Sequence, residues 1–410
     1  MQTASALPNP QPASKLTGLP PVNRVASVDA FRGFVMLLMM AEVCRFSTVA
    51  EALPESSFWQ FISFNTSHVS WSWASLHDMI QPSFTFLVGV ALPFSMASRI
   101  QKGGTKQSIL IHAVKRSLIL IFLGVFLRSI DAKQTYFTFE DTLSQIGLGY
   151  TFLVILGFYS QRVQIWTLVI ILVGYWLAFV LYPLPQPGFD YTTVGQPANW
   201  PYNANGLAAH WNMNANLGFA FDRWFLNLFP RESPFVFHRG AYYTLNFIPT
   251  LGTMILGLLA GNSLKAGTAQ KKKLQFFIVT GLALLALGVL LHITGINPVV
   301  KRIWTPAWTI FSGGICFLYL AVFYGIIDMA GYKKWSYFLL VIGANSIAAY
   351  VMADGGLRSF ISSSLHTHLG QDYDKIFGAA YATVVNGILV LLIMWLILYW
   401  MYKKRVFIKI

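Results

Sequence analysis

Residues 377–402, FGAAYATVVNGILVLLIMWLILYWMY, contain no charged side chain over 26 positions. An α-helix needs about 20 mostly apolar residues to cross the roughly 30 Å hydrocarbon core of a membrane, so this stretch is long enough to span one. Similar runs recur along the chain, and 55% of its 410 residues are hydrophobic while only 11% are charged. Soluble domains carry about 25% charged residues. The sequence therefore predicts an all-α, polytopic transmembrane helix bundle.

We expect about ten membrane spans, joined mostly by short loops. They are predicted near residues 30–46, 75–97, 117–130, 142–159, 163–182, 246–264, 275–293, 305–329, 335–353 and 377–402. With an even number of spans both termini share one side, and 19 of the 29 Lys and Arg residues fall on that side. Loops rich in Lys and Arg stay in the cytoplasm, so both termini are predicted to be cytoplasmic. The net charge of +14 is then concentrated on one face, which fits attraction to anionic membrane lipid or a phosphate-bearing ligand.

The domain organisation is simple. Residues 1–23 are polar and Pro-rich and are predicted to be a disordered cytoplasmic tail without the apolar segment of a signal peptide. Residues 24–410 are predicted to be one transmembrane domain. Cys44 and Cys316 lie inside apolar runs, so neither a disulfide framework nor a metal site is expected. We expect no nucleic-acid partner, because no basic groove with interleaved aromatics is visible; the oligomeric state stays open, a homodimer included.

One connection, residues 183–245, is long and is predicted to be extracytoplasmic. It contains Trp200, Trp211 and Trp224 together with several Tyr and Asn residues. Aromatic rings that alternate with amide side chains suit a sugar, which they bind by stacking and hydrogen bonds. The same composition also suits a lid that only packs on the bundle, and the sequence does not decide between the two.

Ionisable residues inside membrane spans are costly and often functional, and Glu42 and Asp78 are two such residues. Pro82 cannot donate a hydrogen bond to the carbonyl of residue 78, so we expect either a kink that opens a polar pocket or a helix that starts late and is capped by Asp78. A histidine beside a carboxylate is the usual arrangement for a general base. Both His68 and His77 are near enough in sequence, and these residues alone do not decide between them.

An ordered series of motifs is more specific. Residues 24–33, RVASVDAFRG, resemble the S-x-D-x-F-R-G opening of the heparan-alpha-glucosaminide N-acetyltransferase family, a group of transmembrane acyltransferases. Residues 68–71, HVSW, followed by Asp78 and Pro82, resemble its H-x-S-W and D-x-x-x-P stretch. Further matches follow in order at Arg116, Asp222-Arg223, Leu256-Gly257, Ala260-Gly261, Pro298, Lys301, Trp304, Thr305, Asn345-Ser346-Ile347 and Tyr350. The resemblance extends from about residue 24 to the C-terminus.

The chain departs from the family pattern at three places. Ser144-Gln145 stands where the family has glutamine-arginine, and residues 240–243, GAYY, replace a D-P-E-G stretch. The large luminal amino-terminal domain of animal members has no counterpart. We therefore expect a compact bacterial member, a multi-pass protein of the plasma (bacterial inner) membrane.

The resemblance implies a function and its residues. Family members transfer an acetyl group from cytosolic acetyl-CoA to the terminal glucosamine of a glycan across the membrane. By that resemblance His68 is the catalytic histidine and Asp78 its acidic partner, and the acceptor is an amine or hydroxyl of an extracytoplasmic sugar. We expect acetyl-CoA, as co-substrate and without a metal, to bind Arg32, Lys115, Arg116 and Asn345. Contacts to the acceptor are assigned to Trp71, Asp222, Arg223 and Trp304.

Two other classes of function remain open from the sequence. A secondary transporter for a sugar or a lipid-linked intermediate would use Glu42, Asp78 and the outer aromatics for binding and proton coupling. A sensor or scaffold without enzymatic activity would need none of these side chains for chemistry.

Overall fold

The computed structural model describes residues 25–408, so the predicted tail over 1–23 lies outside the described residues. Within the described range the regular structure is helical, apart from an isolated antiparallel bridge between Ser72 and Val300. The α-helices are α1 Ala26–Met40, α2 Phe46–Ala52, α3 Ser57–Asn65, α4 Ile80–Gln101, α5 Lys106–Arg128, α6 Thr142–Leu156, α7 Gln161–Leu181, α8 Leu217–Phe225, α9 Phe247–Lys265, α10 Gln270–Ile293, α11 Pro306–Phe323, α12 Tyr337–Ala344, α13 Ser346–Asp354, α14 Leu357–Leu369 and α15 Ala382–Lys403.

The predicted membrane bundle is confirmed. Between residues 25 and 408, seven helices are long and apolar enough to cross a membrane, namely α4, α5, α7, α9, α10, α11 and α15. Two further pairs pass the same test as bent spans: α1 with α2, bent by 44°, and α12 with α13, bent by 69°. The remaining predicted span, 142–159, falls on α6, whose 15 residues are fewer than the about 20 that a straight crossing needs.

Connections gather at the two ends of the bundle. The end that we call the loop end holds residues 53–76, 129–141, 182–246, 294–305 and 370–381. The opposite end, which we call the basic end, holds the turns after α4, α6, α9 and α11, and Lys102, Lys265, Lys333 and Lys334 lie there. This grouping agrees with the predicted arrangement of loops, and the cytoplasmic location of the basic end stays a prediction.

The centre of the bundle is a parallel pair formed by α4 and α9. A Cβ atom added at Gly257 of α9 would lie 1.9 Å from the carbonyl oxygen of Phe86 on α4, and one added at Gly89 would lie 2.0 Å from that of Met254. The two backbones therefore touch, as small residues permit between membrane helices. Most residues of α10 and α15, in contrast, are not buried, which suits helices that face lipid.

Two local predictions can be compared with the structure. The third span, predicted near 117–130 and expected to begin before Lys115, starts at Lys106, and its helix continues through Lys115 and Arg116. Of the two alternatives at Pro82, the structure has the late helix start and not the kink, although the side chain of Asp78 does not cap the helix. Helix α4 begins at Ile80, so Pro82 lies in its first turn, where a missing N–H breaks no helical hydrogen bond.

We predict that Gly257→Ala lowers the melting temperature of the detergent-purified protein, because the new methyl group overlaps the backbone of α4. Overpacking of this kind costs about 1–3 kcal/mol. Gly174→Ala is the matched control: Gly174 is an exposed residue of α7, and nothing lies within 4 Å of an added Cβ. Equal melting temperatures for the two variants would contradict the close contact between α4 and α9.

Candidate active site

Three ionisable side chains meet at the loop end of α4. His68 Nδ1 lies 2.8 Å from Asp78 Oδ1, and Lys301 Nζ lies 3.2 Å from the same oxygen. Lys301 Nζ is also 3.1 Å from His68 Nδ1. An acid, a base and an ammonium group thus share one contact point.

The carboxylate of Asp78 is held by the loop that precedes it. Asp78 belongs to a single helical turn, His77–Met79, that leads into α4. Its Oδ2 accepts hydrogen bonds from the backbone N–H groups of Val69 and Ser75, both at 3.1 Å. Because these donors come from residues 67–76, the same carboxylate fixes the loop that carries His68.

Lys301 comes from a distant segment, which is positioned by the isolated bridge. The N–H of Trp73 donates to the carbonyl of Val299 at 3.1 Å, next to the pairing of Ser72 with Val300. On the other side of Lys301, the side chain of Thr305 caps α11 by accepting a hydrogen bond from the N–H of Trp308. The loop 294–305 is therefore anchored on both sides of the lysine.

Only the histidine of this group is accessible. The side chain of His68 is 43% exposed, whereas those of Asp78 and Lys301 are 1% and 5% exposed. Burial and the Lys301 ammonium lower the pKa of His68 below its usual 6.5, and they outweigh the opposite effect of Asp78. His68 is therefore neutral at pH 7 and can accept a proton.

The contact with Asp78 favours one tautomer of His68. An ionised carboxylate only accepts hydrogen bonds, so the 2.8 Å contact favours the proton on Nδ1, whereas the Lys301 ammonium, 3.1 Å from the same nitrogen, favours the opposite tautomer. With the proton on Nδ1, the lone pair lies on Nε2. This is the tautomer that a general base needs.

A cavity of about 450 Å³ adjoins His68; we call it the histidine cavity. His77 also lines it, and its Nε2 lies 3.3 Å from Glu42, which in turn pairs with Arg358 at 3.5 Å. His77 is thus engaged with Glu42, while His68 has the carboxylate at position 78. Of the two histidines, His68 is the one in contact with Asp78, and its role as the base stays a prediction.

A second charged group lines the histidine cavity. Glu140 Oε1 lies 3.9 Å from Arg128 Nε and 4.0 Å from His238 Nε2. Burial lowers the pKa of His238 to about 4, so that ring is neutral at physiological pH. The sequence analysis predicted a role for none of these three residues and gave Lys301 no role. For the group around Glu140, two adjacent acidic residues at 140–141 were the sequence feature that could have indicated it.

A smaller cavity of about 260 Å³, which we call the arginine cavity, contains Arg32 and Arg116 in its wall. Arg116 Nη1 donates to the hydroxyl of Tyr150 at 3.1 Å, and its guanidinium lies 4.5 Å from the centre of that ring. Its Nε is buried and has no hydrogen-bond partner among residues 25–408. A buried donor without a partner suits an anionic ligand group. Arg32 pairs with Asp29 at 3.1 Å.

One face of α4 lines both cavities. Ile80, Gln81 and Phe84 line the histidine cavity, and Phe84, Val88 and Ser95 line the arginine cavity. Phe84 therefore belongs to both walls. Residues 77 to 95 span about 27 Å at 1.5 Å per helical residue, close to the roughly 30 Å of a hydrocarbon core.

Two residues predicted to bind the cofactor lie elsewhere. Lys115 is exposed on α5 and is not part of the arginine cavity wall. Asn345 occupies the break between α12 and α13, where its amide donates to the carbonyl of Val406 at 3.0 Å and accepts from the N–H of Ile408 at 3.1 Å. That side chain anchors the C-terminal segment, whose Ile408 lines the arginine cavity.

The four residues assigned to the acceptor do not line the histidine cavity. Trp71 is buried against Trp200, and the indole of Trp304 donates to Thr253 at 3.3 Å. Asp222 accepts a hydrogen bond from the N–H of Thr244 at 2.9 Å, and Arg223 follows it on α8. Of the long connection 183–245, His238 and Tyr242 line this cavity.

Comparison with known proteins gives two distant relatives. No family model matches the chain. It is 25% identical over 381 residues to heparan-alpha-glucosaminide N-acetyltransferase of Homo sapiens, and 23% identical over 373 residues to that of Mus musculus. These alignments cover 83% and 80% of the chain, which spans about half the length of the two relatives, 54% and 53%. The chain is therefore a distant homologue of the heparan-alpha-glucosaminide N-acetyltransferases, in agreement with its ordered motifs.

Proposed function

We propose that this protein transfers an acetyl group from acetyl-CoA, bound at the basic end, to an amine or hydroxyl of a sugar at the loop end. The observation that carries the proposal is the continuous face of α4, which lines both cavities, with the contact of His68 and Asp78 at one end and two arginines, Arg32 and Arg116, at the other. The homology to acetyltransferases supports the same reaction. In the cell we place the basic end in the cytoplasm and the protein in a bacterial inner membrane.

The donor would bind along this face. Arg116, with its unpaired Nε, and Arg32 offer charge-assisted hydrogen bonds to the phosphates of acetyl-CoA. The pantetheine arm, roughly 15–20 Å long by its bond geometry, would extend past Phe84 into the histidine cavity. Val88, Leu92 and Phe84 give this path an apolar wall, which suits an uncharged chain.

The transfer step needs one base. The acceptor's nitrogen or oxygen attacks the thioester carbon while Nε2 of His68 takes the proton that the nucleophile loses. The C–S bond breaks, and the thiolate of CoA leaves and receives that proton from the imidazolium. Asp78 would hold Nδ1–H and stabilise the imidazolium, while burial, with the Lys301 ammonium, lowers the pKa of His68 and keeps it neutral before the reaction.

We predict that His68→Ala and Asp78→Asn each lower the rate of acetyl transfer by about 10²- to 10⁴-fold, the usual contribution of a general base. Transfer of radiolabelled acetyl-CoA to amino sugars by purified protein measures the rate. His368→Ala is the control, since His368 is an exposed histidine on α14 outside the histidine cavity. A His68→Ala enzyme as active as this control would exclude the proposed base.

The Lys301 ammonium is predicted to set the acid limb of the pH–rate profile. His68 must be neutral to act as a base, so the rate falls as the pH drops through its pKa. Lys301→Met removes a positive charge 3.1 Å from Nδ1 and therefore raises the pKa of His68. The acid limb should move to higher pH, whereas an unchanged limb or a move to lower pH would show that Lys301 does not act on His68.

Arg116 and Lys115 form a matched pair for the donor site. Arg116→Gln should weaken CoA binding, measured by titration calorimetry, by about 10- to 100-fold, the effect of one charge-assisted hydrogen bond. Lys115→Gln removes the same charge one residue away, outside the cavity, and should change the affinity by less than about twofold. Equal effects of both would point to general charge attraction, and a wild type that does not bind CoA would favour the transporter alternative.

A further inference from the structure

A third cavity lies at the loop end, beside the histidine cavity. Its volume is about 710 Å³, within the range of about 300–1,000 Å³ that is usual for small-ligand sites. It is built from α14, the start of α15 and residues 42–45. We call it the polar cavity, because hydroxyl and amide side chains form most of its wall.

The polar cavity and the histidine cavity share two residues, Glu42 and Arg358. Their side chains pair at 3.5 Å and are each 38% exposed. Glu42 also lies 3.3 Å from His77, whose ring centroid is 4.4 Å from that of His68. A ligand in the polar cavity is therefore separated from the proposed base by one ion pair and one histidine.

Hydrogen bonds hold the side chains in the wall of the polar cavity in place. The amide of Asn386 donates to the hydroxyl of Ser362 at 3.0 Å and accepts from that of Tyr373 at 2.6 Å. On the next turn of α14, His366 Nε2 lies 3.3 Å from Asp374, which is 8% exposed. These bonds fix the side chains that face the cavity before any ligand arrives, which lowers the entropy cost of binding.

One group in this wall lacks a partner. The hydroxyl of Thr383, the second residue of α15, is buried and makes no hydrogen bond within residues 25–408. A buried polar group without a partner is unfavourable, and a hydrogen bond from a ligand hydroxyl would relieve this. Two arginines, Arg45 and Arg358, and the single carboxylate of Glu42 give the cavity a surplus of positive charge.

We propose that the polar cavity is the acceptor subsite. It would hold the non-reacting sugar units of a hydroxyl-rich carbohydrate, neutral or acidic beyond its terminal amino sugar, while that terminal unit passes Glu42 and Arg358 to reach His68. This inference rests on the proposed acetyl transfer. It assigns the acceptor to α14 and α15 and not to the aromatic residues of the long connection.

The test uses a tetrasaccharide of three N-acetylglucosamine units ending in one free glucosamine, compared with glucosamine alone. Ser363→Trp fills the polar cavity, and Thr383→Val removes the unpaired hydroxyl. Ser364→Trp places the same bulk on the next residue of α14, which does not line the cavity. Binding of the tetrasaccharide without acetyl-CoA and kcat/KM with acetyl-CoA are both measured.

We expect Ser363→Trp to weaken tetrasaccharide binding and lower its kcat/KM by about tenfold or more, with a change below about twofold for glucosamine alone. Thr383→Val should have a smaller effect in the same direction, and Ser364→Trp should match the wild type. Binding and kcat/KM that stay within about twofold of wild type in both cavity variants would overturn the proposal, as would a wild type that does not bind the tetrasaccharide. Binding that depends on Ser363 in a protein without any transfer would keep the subsite and refute the acetyl transfer instead.

Discussion

The site depends on one buried carboxylate. Asp78 receives the N–H groups of Val69 and Ser75 on one oxygen and meets His68 and Lys301 on the other. A charge buried this deeply is tolerated because it is paired and hydrogen-bonded, and removal of one partner leaves the other charge uncompensated. The same contacts join the start of α4, the loop before it and the segment before α11. Asp78 therefore holds His68 and Lys301 in place and also stabilises the local fold.

The close approach of α4 and α9 fixes the position of Asp78 at the start of α4. Because Gly89 and Gly257 let the two backbones touch, α4 cannot shift along its neighbour without a clash. Its opposite face is then free to line both cavities over most of the thickness of a membrane. A helix face that borders polar groups at each end and apolar side chains between them suits a long, flexible donor with a charged head.

Hydropathy was enough to predict the long membrane helices, because a span is a long apolar run, but not the shorter helices α3, α8 and α14. The motif series was enough to relate His68 to Asp78. Lys301 gained its role only from the structure, because its 223-residue separation from Asp78 is closed by a bridge of two residues, Ser72 and Val300. Hydropathy alone marks only residues 117–130 of α5, because Lys115 and Arg116 reduce the local hydropathy, but the helix begins before Lys115, as expected. The polar cavity is built from three segments that lie far apart in the sequence, so no local sequence pattern indicates it.

Acetyl transfer across a sealed bilayer is the most direct measurement. Purified protein would be reconstituted in vesicles that enclose glucosamine, with radiolabelled acetyl-CoA added only outside. Molecules whose basic end faces outward should then produce labelled N-acetylglucosamine inside the vesicles, and vesicles that contain His68→Ala should not. Acetylation that appears only when donor and acceptor are on the same side would contradict a donor path along α4.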